Sequence, residues 1–251
     1  MAIDCDFLLV IPAYEEHRRL PPFLRDLAAH LGDASYTTQI QVLDDGSSAT
    51  SLRELMRAMD EIKKSRSLQI LPPASLKARS GKGCAIRTGW NTGARTKWLA
   101  FVDADGAIPA REVSRVFAEI SRGSGSPADR TYVAVRDRRV RRTWLRKACG
   151  RVFARTVQFV FRCSFQDPQC GFKIIPASTW QNVRTCSLEN GFCFDLELLL
   201  LLERNKSPIE ELPVDWQEKS GGHFRLIGDG IATLFAAGRL RSRHFRAVDG
   251  G

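Results

Sequence analysis

Long uninterrupted apolar runs are missing from this sequence. The two longest candidates, residues 152–165 and 194–202, are interrupted or bounded by charged residues. Neither reaches the roughly 20 apolar residues that a membrane-spanning helix requires. The first six residues contain no basic side chain, so no signal peptide is expected. We therefore expect neither an integral membrane protein nor a secreted one.

Common metal and phosphate motifs built on cysteine, histidine or glycine are also missing. The seven cysteines are an odd number without a C-x-x-C pair, and the four histidines show no metal-ligand spacing. This pattern argues against a zinc site and favours reduced thiols in a cytosol. No G-x-x-x-x-G-K-[ST] spacing occurs, which excludes a P-loop.

The composition is that of an ordinary globular protein, with a charge excess confined to two regions. The chain has 251 residues, of which 43% are apolar and 26% charged, and its formal net charge is +10. Nine basic residues and one acid lie between Arg136 and Arg155, and four arginines lie in 239–246. Because the remainder is close to neutral, we expect one or two local anionic contacts rather than a uniformly basic coat for nucleic acid.

Short apolar runs alternate with amphipathic segments along the chain. Predicted strands cover 6–11, 39–43, 68–71, 98–102, 132–135, 172–175 and 209–214. Predicted helices cover 20–31, 51–64, 83–97, 110–122, 141–161, 177–183, 195–204 and 226–241. Such alternation indicates an α/β fold with a mainly parallel sheet, whose ligands bind beyond the carboxyl ends of the strands. A Gly/Ser-rich stretch at 123–127 suggests two lobes, 1–126 and 127–251, that share one sheet.

Two aspartates, Asp103 and Asp105, follow a predicted strand directly. Carboxylates two residues apart in an extended segment point the same way. They suit a hard divalent cation, Mg²⁺ or Mn²⁺, that keeps positions open for substrate phosphates. The alternative is an acidic turn punctuated by Gly106.

A second acidic turn, Asp44-Asp45-Gly46-Ser47, follows another predicted strand. Asp45 is able to accept hydrogen bonds from a base or ribose, and the glycine allows the backbone to pass closely under a ligand. The alternative is a capped turn in which Ser47 or Ser48 begins the next helix. Lys82, in a Ser-Gly-Lys-Gly segment ahead of a helix, offers an anion site.

These motifs together resemble a known family. Val10-Ile11-Pro12-Ala13-Tyr14-Glu15-Glu16, Asp44-Asp45-Gly46-Ser47, Gly81-Lys82-Gly83 and Val102-Asp103-Ala104-Asp105 have the order and spacing of family 2 glycosyltransferases with the GT-A fold. Asp167-Pro168-Gln169-Cys170-Gly171-Phe172-Lys173, the segment 192–199 and Val214-x-Trp216 are similar to the polyprenyl-phosphate branch, which includes dolichyl-phosphate glucosyl- and mannosyltransferases.

The resemblance implies a role for each matching residue. The nucleotide sugar would be bound by Pro12, Tyr14, Glu16, Asp45, Lys82, Asp103, Ala104 and Asp105, of which Asp103 and Asp105 would hold the metal. Arg136 or Arg138 would bind a phosphate. Residues 220–225 depart from the Gly-Ser-Lys-like segment of the branch, so either His223 or Arg225 would take an acceptor-phosphate role or the acceptor differs. Asp167 and Asp195 are the candidate general bases for a hydroxyl acceptor, and Asp195 could instead cap its helix.

The resulting hypothesis is a metal-dependent, inverting enzyme that transfers a hexose from a nucleotide sugar to a polyprenyl phosphate at the cytosolic membrane face. UDP-glucose is favoured as donor, with GDP-mannose as the alternative.

The predicted helix 141–161 places Arg155 and Phe161 on a basic face and Phe159 on an apolar face. Such a helix suits peripheral contact with anionic lipid. The alternative is a helix whose apolar face packs on the core and whose basic face is exposed to solvent. Other hypotheses are a soluble or glycan hydroxyl acceptor, and an inactive scaffold that binds nucleic acid, although nucleic acid is not expected. Oligomeric state is not predicted.

Overall fold

A computed structural model describes residues 4–62, 68–92, 95–123, 130–136 and 165–217, and positions 155, 158, 159, 161, 219, 238 and 240. The strands are β1 (Cys5–Ala13), β2 (Thr38–Asp44), β3 (Leu68–Ile70), β4 (Ala74–Ser75), β5 (Thr96–Val102), β6 (Thr131–Arg136), β7 (Phe172–Pro176) and β8 (Ile209–Val214). The helices are α1 (Leu20–Leu31), α2 (Ala49–Asp60), α3 (Lys82–Trp90), α4 (Ala110–Arg122), α5 (Ala177–Val183) and α6 (Phe194–Arg204). A short 3₁₀ turn, Arg184–Cys186, follows α5.

The eight strands form one sheet in the order β3-β2-β1-β5-β7-β6-β8, with β4 beside β2. Helices cover both faces, so the central strand β1 is apolar almost throughout. Phe7 and Leu9 pack on the face that carries α1, α2 and α4. Leu8 and Val10 point to the opposite face, where α3, α5 and α6 pack.

Strand direction decides which strand ends lie together at one edge of the sheet. β1, β2, β3 and β5 run parallel, so the carboxyl ends of β1, β2 and β5 lie at one edge of the sheet. β7 runs antiparallel to β5, with Val102 opposite Phe172. The beginning of β7 therefore lies beside the end of β5, at the same edge.

The predicted α/β class with a mostly parallel central sheet is confirmed, and several boundaries coincide with the prediction. The prediction of a helix over 83–97 was wrong, because α3 ends at Trp90 and β5 begins at Thr96. Asn91 ends the helix: its amide donates to the Arg87 carbonyl, and its side chain accepts a hydrogen bond from the Trp180 indole at 3.1 Å. The two-residue strand β4 was not predicted. The division into two lobes that share one sheet stays a prediction.

The predicted helices 141–161 and 226–241 lie mostly outside the described residues. Positions 155, 158, 159, 161, 238 and 240 are helical. Phe159 is 87% exposed and Phe161 is buried, which reverses the faces predicted for these two side chains. Within the described part of the chain, we find no helix with the length and apolar character needed to span a bilayer.

At the opposite edge of the sheet, the Asp6 side chain links β1 to the start of β2 and to β5. Its carboxylate accepts hydrogen bonds from the Thr37 amide at 2.8 Å and from the Lys97 ammonium at 2.7 Å. Burial alone would raise the pKa of Asp6, but the bonds from Lys97 and Thr37 outweigh it and lower that pKa below its ordinary value of 3.8. The stability that Asp6 contributes is therefore fully present above about pH 4 and is lost as the pH falls through the lowered pKa.

Asp6→Asn is expected to reduce the free energy of unfolding at pH 7 by about 1 kcal/mol, because an amide oxygen replaces a charged acceptor. The difference between Asp6→Asn and wild type should shrink below about pH 4. Urea titrations between pH 3 and pH 7 measure both effects, with Asp26→Asn at an exposed position of α1 as the control. Equal unfolding free energies for Asp6→Asn and wild type at every pH would contradict the account.

Candidate active site

The loop after β1 is tied to the loop after β2. Glu15 has a positive φ of 56°, its amide donates to the Ser47 hydroxyl at 2.8 Å, and its carboxylate accepts from the Ser48 amide at 2.6 Å. That amide bond lowers the pKa of Glu15. Ser48 caps α2 by accepting from the Ser51 amide, as one of the sequence alternatives predicts.

The predicted nucleotide residues of this region already have protein partners. Pro12 lies in β1, and the Tyr14 ring lies 4.3 Å from the Arg79 guanidinium. Glu16 is buried and ion-paired with Arg19. The structure thus places Pro12, Tyr14 and Glu16 at the expected edge of the sheet, with Glu16 occupied by an arginine.

Asp45 lies at the same edge and is buried, with 5% of its surface exposed. One carboxylate oxygen accepts from the Ser80 amide at 2.7 Å, and both accept from the Gly81 amide at 2.9 and 3.0 Å. Gly46 has a φ of 73°, and a Cβ there would lie 2.5 Å from the Ala78 backbone. Asp45 therefore positions the turn that leads into Lys82 and α3.

A buried network of lysines and aspartates forms the centre of the site. The Lys82 ammonium lies 2.8 Å from Asp103 and 2.9 Å from Asp195. The other oxygen of Asp195 lies 2.8 Å from the ammonium of Lys173, which is fully buried. The Phe101 ring lies 5.0 and 5.5 Å from the two ammonium groups, an arrangement that adds cation–π attraction. Four separated segments of the chain thus meet at Asp195.

The charges in this network shift each other's ionisation. Burial alone would raise the pKa of Asp195, but the ammonium groups of Lys173 and Lys82 outweigh it and lower that pKa. Burial alone would lower the pKa of Lys82, and the carboxylates of Asp103 and Asp195 raise it instead. Asp195 is therefore held as an anion. It does not cap α6, because the cap residue is Cys193.

Lys173 also holds the loop that precedes β7. Its ammonium donates to the carbonyls of Cys170 at 2.8 Å and Pro168 at 3.2 Å. At the end of that loop a Cβ on Gly171 would lie 1.8 Å from a carboxylate oxygen of Asp103. Only glycine leaves room for the Asp103 carboxylate in this position. Asp167 begins the loop and is half-buried.

Asp103 and Asp105 suit a divalent cation that is shared with substrate. The Asp103 side chain is 42% exposed, and one oxygen of Asp105 accepts from the Ala107 amide at 2.9 Å. Within the described ranges no three His, Cys, Asp or Glu side chains form a group able to hold a metal. Two carboxylates are what a Mg²⁺ site uses when waters and substrate phosphates supply the other ligands. The donor set therefore fits a cation that binds together with a diphosphate.

Several predicted acceptor residues lie outside what the structure describes. These are Arg138, His223 and Arg225, together with the side chain of Arg136, whose backbone ends β6. Their roles stay predictions.

Two important residues were missed by sequence reasoning, Lys173 and Glu197. Lys173 is the one charged residue of the apolar segment 172–175, and Glu197 and Asp195 are the two charged residues of the segment 194–202. That contrast with the apolar neighbours was the available signal. Glu197 is buried, and its carboxylate accepts from the amides of Leu188 and Glu189 at 2.9–3.1 Å. It thereby shapes the loop in front of α6.

The fold and this edge of the sheet define a glycosyltransferase of the GT-A class. The chain belongs to glycosyl transferase family 2, whose sequence model matches residues 8–175. The resemblance predicted from the ordered motifs is thus confirmed.

Curated relatives with similarity over most of the chain are dolichyl-phosphate beta-glucosyltransferases. The Dictyostelium discoideum protein is 28% identical over 96% of this chain and 75% of its own length. The Saccharomyces cerevisiae protein is 28% identical over 89% and 70%, and the Homo sapiens protein is 26% identical over 85% and 68%.

Solved structures with a similar fold include glucosyl-3-phosphoglycerate synthase from Mycobacterium tuberculosis. Its complex with Mn²⁺, UDP-glucose and phosphoglyceric acid superimposes with a TM-score of 0.62 at 16% identity, covering 93% of this chain and 80% of that one. A structure of the same enzyme described without ligands gives a TM-score of 0.63. This likeness shows the shared fold.

Gly171→Ala is expected to lower glycosyl transfer by about 100-fold, because the added methyl group displaces the Asp103 carboxylate by an ångström or more. The thermal midpoint should change little by comparison. Gly238→Ala is the matched control, since a Cβ there meets nothing within 4 Å. Full activity in Gly171→Ala would show that the position of Asp103 does not matter.

Lys173→Met is expected to destabilise the protein by about 3 kcal/mol, because it leaves part of the charge on Asp195 and two carbonyls without a partner. Chemical denaturation measures the change. Arg111→Met removes an ion pair to Asp215 in which both side chains are about half exposed, and this control should cost under about 1 kcal/mol. Equal losses in the two variants would mean that the buried network contributes no more than a surface pair.

Proposed function

We propose that the protein is a metal-dependent, inverting glucosyltransferase that moves glucose from UDP-glucose to a polyprenyl phosphate such as dolichyl phosphate. One observation carries the proposal. Asp103 is paired with Lys82, and Asp105 follows two positions later, at the ligand-binding edge of a family 2 chain whose curated relatives are dolichyl-phosphate beta-glucosyltransferases.

The charge balance of the site supports a divalent cation. The carboxylates of Asp103 and Asp195 are paired with two ammonium groups, on Lys82 and Lys173, and Asp105 adds a third carboxylate close to Asp103. A nucleoside diphosphate adds further negative charge, so the two ammonium groups alone do not neutralise the complex. Asp103 and Asp105 would hold Mg²⁺ or Mn²⁺, which when bound neutralises charge on the leaving diphosphate. The complex of the Mycobacterium tuberculosis enzyme with Mn²⁺ and UDP-glucose supports this choice of ion and donor.

The acceptor determines whether a general base is needed. An oxygen of a polyprenyl phosphate is already anionic, so it attacks the anomeric carbon without losing a proton, while the bond from that carbon to the diphosphate breaks. Asp195 suits no proton transfer, because lysines hold both of its oxygens and lower its pKa. We propose that Asp195 instead positions Lys82. Asp167 stays the candidate base for a hydroxyl acceptor.

The remaining site residues complete the proposal. Pro12, Tyr14, Glu16 and Asp45 would shape the pocket for the base and ribose, the last by holding the turn at residues 80 and 81. The acceptor phosphate would be bound by Arg136, Arg138, His223 or Arg225, which rests on the sequence. The basic cluster at 136–155 supports peripheral contact with anionic lipid at the cytosolic membrane face.

The test incubates the purified protein with UDP-glucose or GDP-mannose, Mn²⁺ or Mg²⁺, and a polyprenyl phosphate. Mass spectrometry is expected to detect glucosyl polyprenyl phosphate with UDP-glucose, and no product after the metal is chelated. Asp105→Ala should abolish product formation, because one of two metal-binding carboxylates is lost. Asp60→Ala, at an exposed position of α2, is the control and should keep full activity.

Two results would overturn the proposal. One is the absence of glucosyl polyprenyl phosphate with UDP-glucose and either metal. The other is transfer only to 3-phosphoglycerate or another soluble acceptor, included as a parallel reaction, which would assign the chain to the soluble-acceptor alternative.

A further inference from the structure

The segment 187–193, here called the α6 loop, exposes two large apolar side chains beside the site. Leu188 is 58% exposed and Phe192 is 41% exposed. In the described part of the chain only four large apolar side chains are exposed, and the others are Met56 and Phe159. Half of them therefore lie within five consecutive positions.

The α6 loop is held in a fixed shape. The buried Glu197 carboxylate accepts from two of its amides and from the Ser187 hydroxyl at 3.1 Å. The Arg87 guanidinium donates to the carbonyl of Glu189 and to the side-chain oxygen of Asn190. These bonds hold the loop backbone from both sides in the conformation that leaves Leu188 and Phe192 exposed, and exposed apolar area costs free energy in the free protein.

The same loop is bonded directly to the start of α3. The Asn190 carbonyl accepts from the Gly83 amide at 2.7 Å and from the Cys84 amide at 3.2 Å. A Cβ on Gly81 would lie 2.3 Å from that carbonyl oxygen, so the contact is close. The residue between these glycines is Lys82, and Asp195 follows Phe192 by three positions. The loop that carries the two apolar side chains is thus bonded to the helix start that carries Lys82.

From this placement we infer that Leu188 and Phe192 form the surface on which the isoprenoid chain of the acceptor lies. The inference rests on the proposed function, because it needs an acceptor with an anionic head and an apolar tail. The structure offers both parts: a charged centre around Lys82 at which the sugar would be transferred, and a loop, bonded to the same helix start, whose two apolar side chains would lie along the tail. When the isoprenoid chain covers both side chains, their exposed apolar area is removed from water, which favours binding.

The test compares two water-soluble acceptors, with two and with four isoprene units, each below its micelle-forming concentration and without detergent or membrane. Wild type is expected to show a lower KM for the longer acceptor. Leu188→Ser with Phe192→Ser should raise the KM for the four-unit acceptor about tenfold. The KM for UDP-glucose and for the two-unit acceptor should stay within about a factor of two. Met56→Ser is the matched control, because Met56 is 45% exposed on α2.

Thermal unfolding shows whether the double variant is folded, and the two single variants serve as substitutes if it is not. Unchanged KM for the longer acceptor, or an equal rise in Met56→Ser, would overturn the inference while wild-type transfer still supported the proposed function. No wild-type transfer to either acceptor would overturn the proposed function and this inference with it.

Discussion

Asp195 lies buried between two lysines, and the rest of the site depends on this arrangement. An unpaired carboxylate at such a position costs several kcal/mol, so Lys82 and Lys173 are both required, and each brings its own element to the centre. Lys82 begins α3 and extends to Asp103, and Lys173 belongs to β7 and holds the loop before it. One buried anion thereby fixes the relative positions of two helix starts and two strand ends.

Strand direction explains why these groups meet at all. Parallel strands bring the loops after β1, β2 and β5 to one edge, where GT-A enzymes and other α/β proteins bind ligands. The antiparallel strand β7 adds something that a parallel neighbour would not. Its first residues lie beside the end of β5, so Gly171 sits against Asp103 and leaves space for its carboxylate. The neighbouring strands β5 and β7 thus fix the position of Asp103 together.

Sequence reasoning located the fold and the acidic turns because both depend on local patterns. Helix 110–122 has a strong 3.6-residue period, and Asp103 follows an apolar strand directly. The partners of buried charges do not follow from local pattern. Lys173 meets a carboxylate 22 positions away, and Glu197 bonds to a loop eight or nine positions earlier. Helix α3 was predicted too long because the partner of Asn91 is Trp180, 89 positions along the chain.

In the proposed function, Asp103, which is paired with Lys82, and Asp105 bind a divalent cation together with the donor's diphosphate. Anomalous diffraction at the manganese edge, from crystals grown with Mn²⁺ and UDP, locates that cation. We expect one manganese peak in contact with both carboxylates and the diphosphate, with Asp195 still bound to Lys173. A manganese peak on Asp195, or UDP bound without manganese at Asp103 and Asp105, would contradict this assignment.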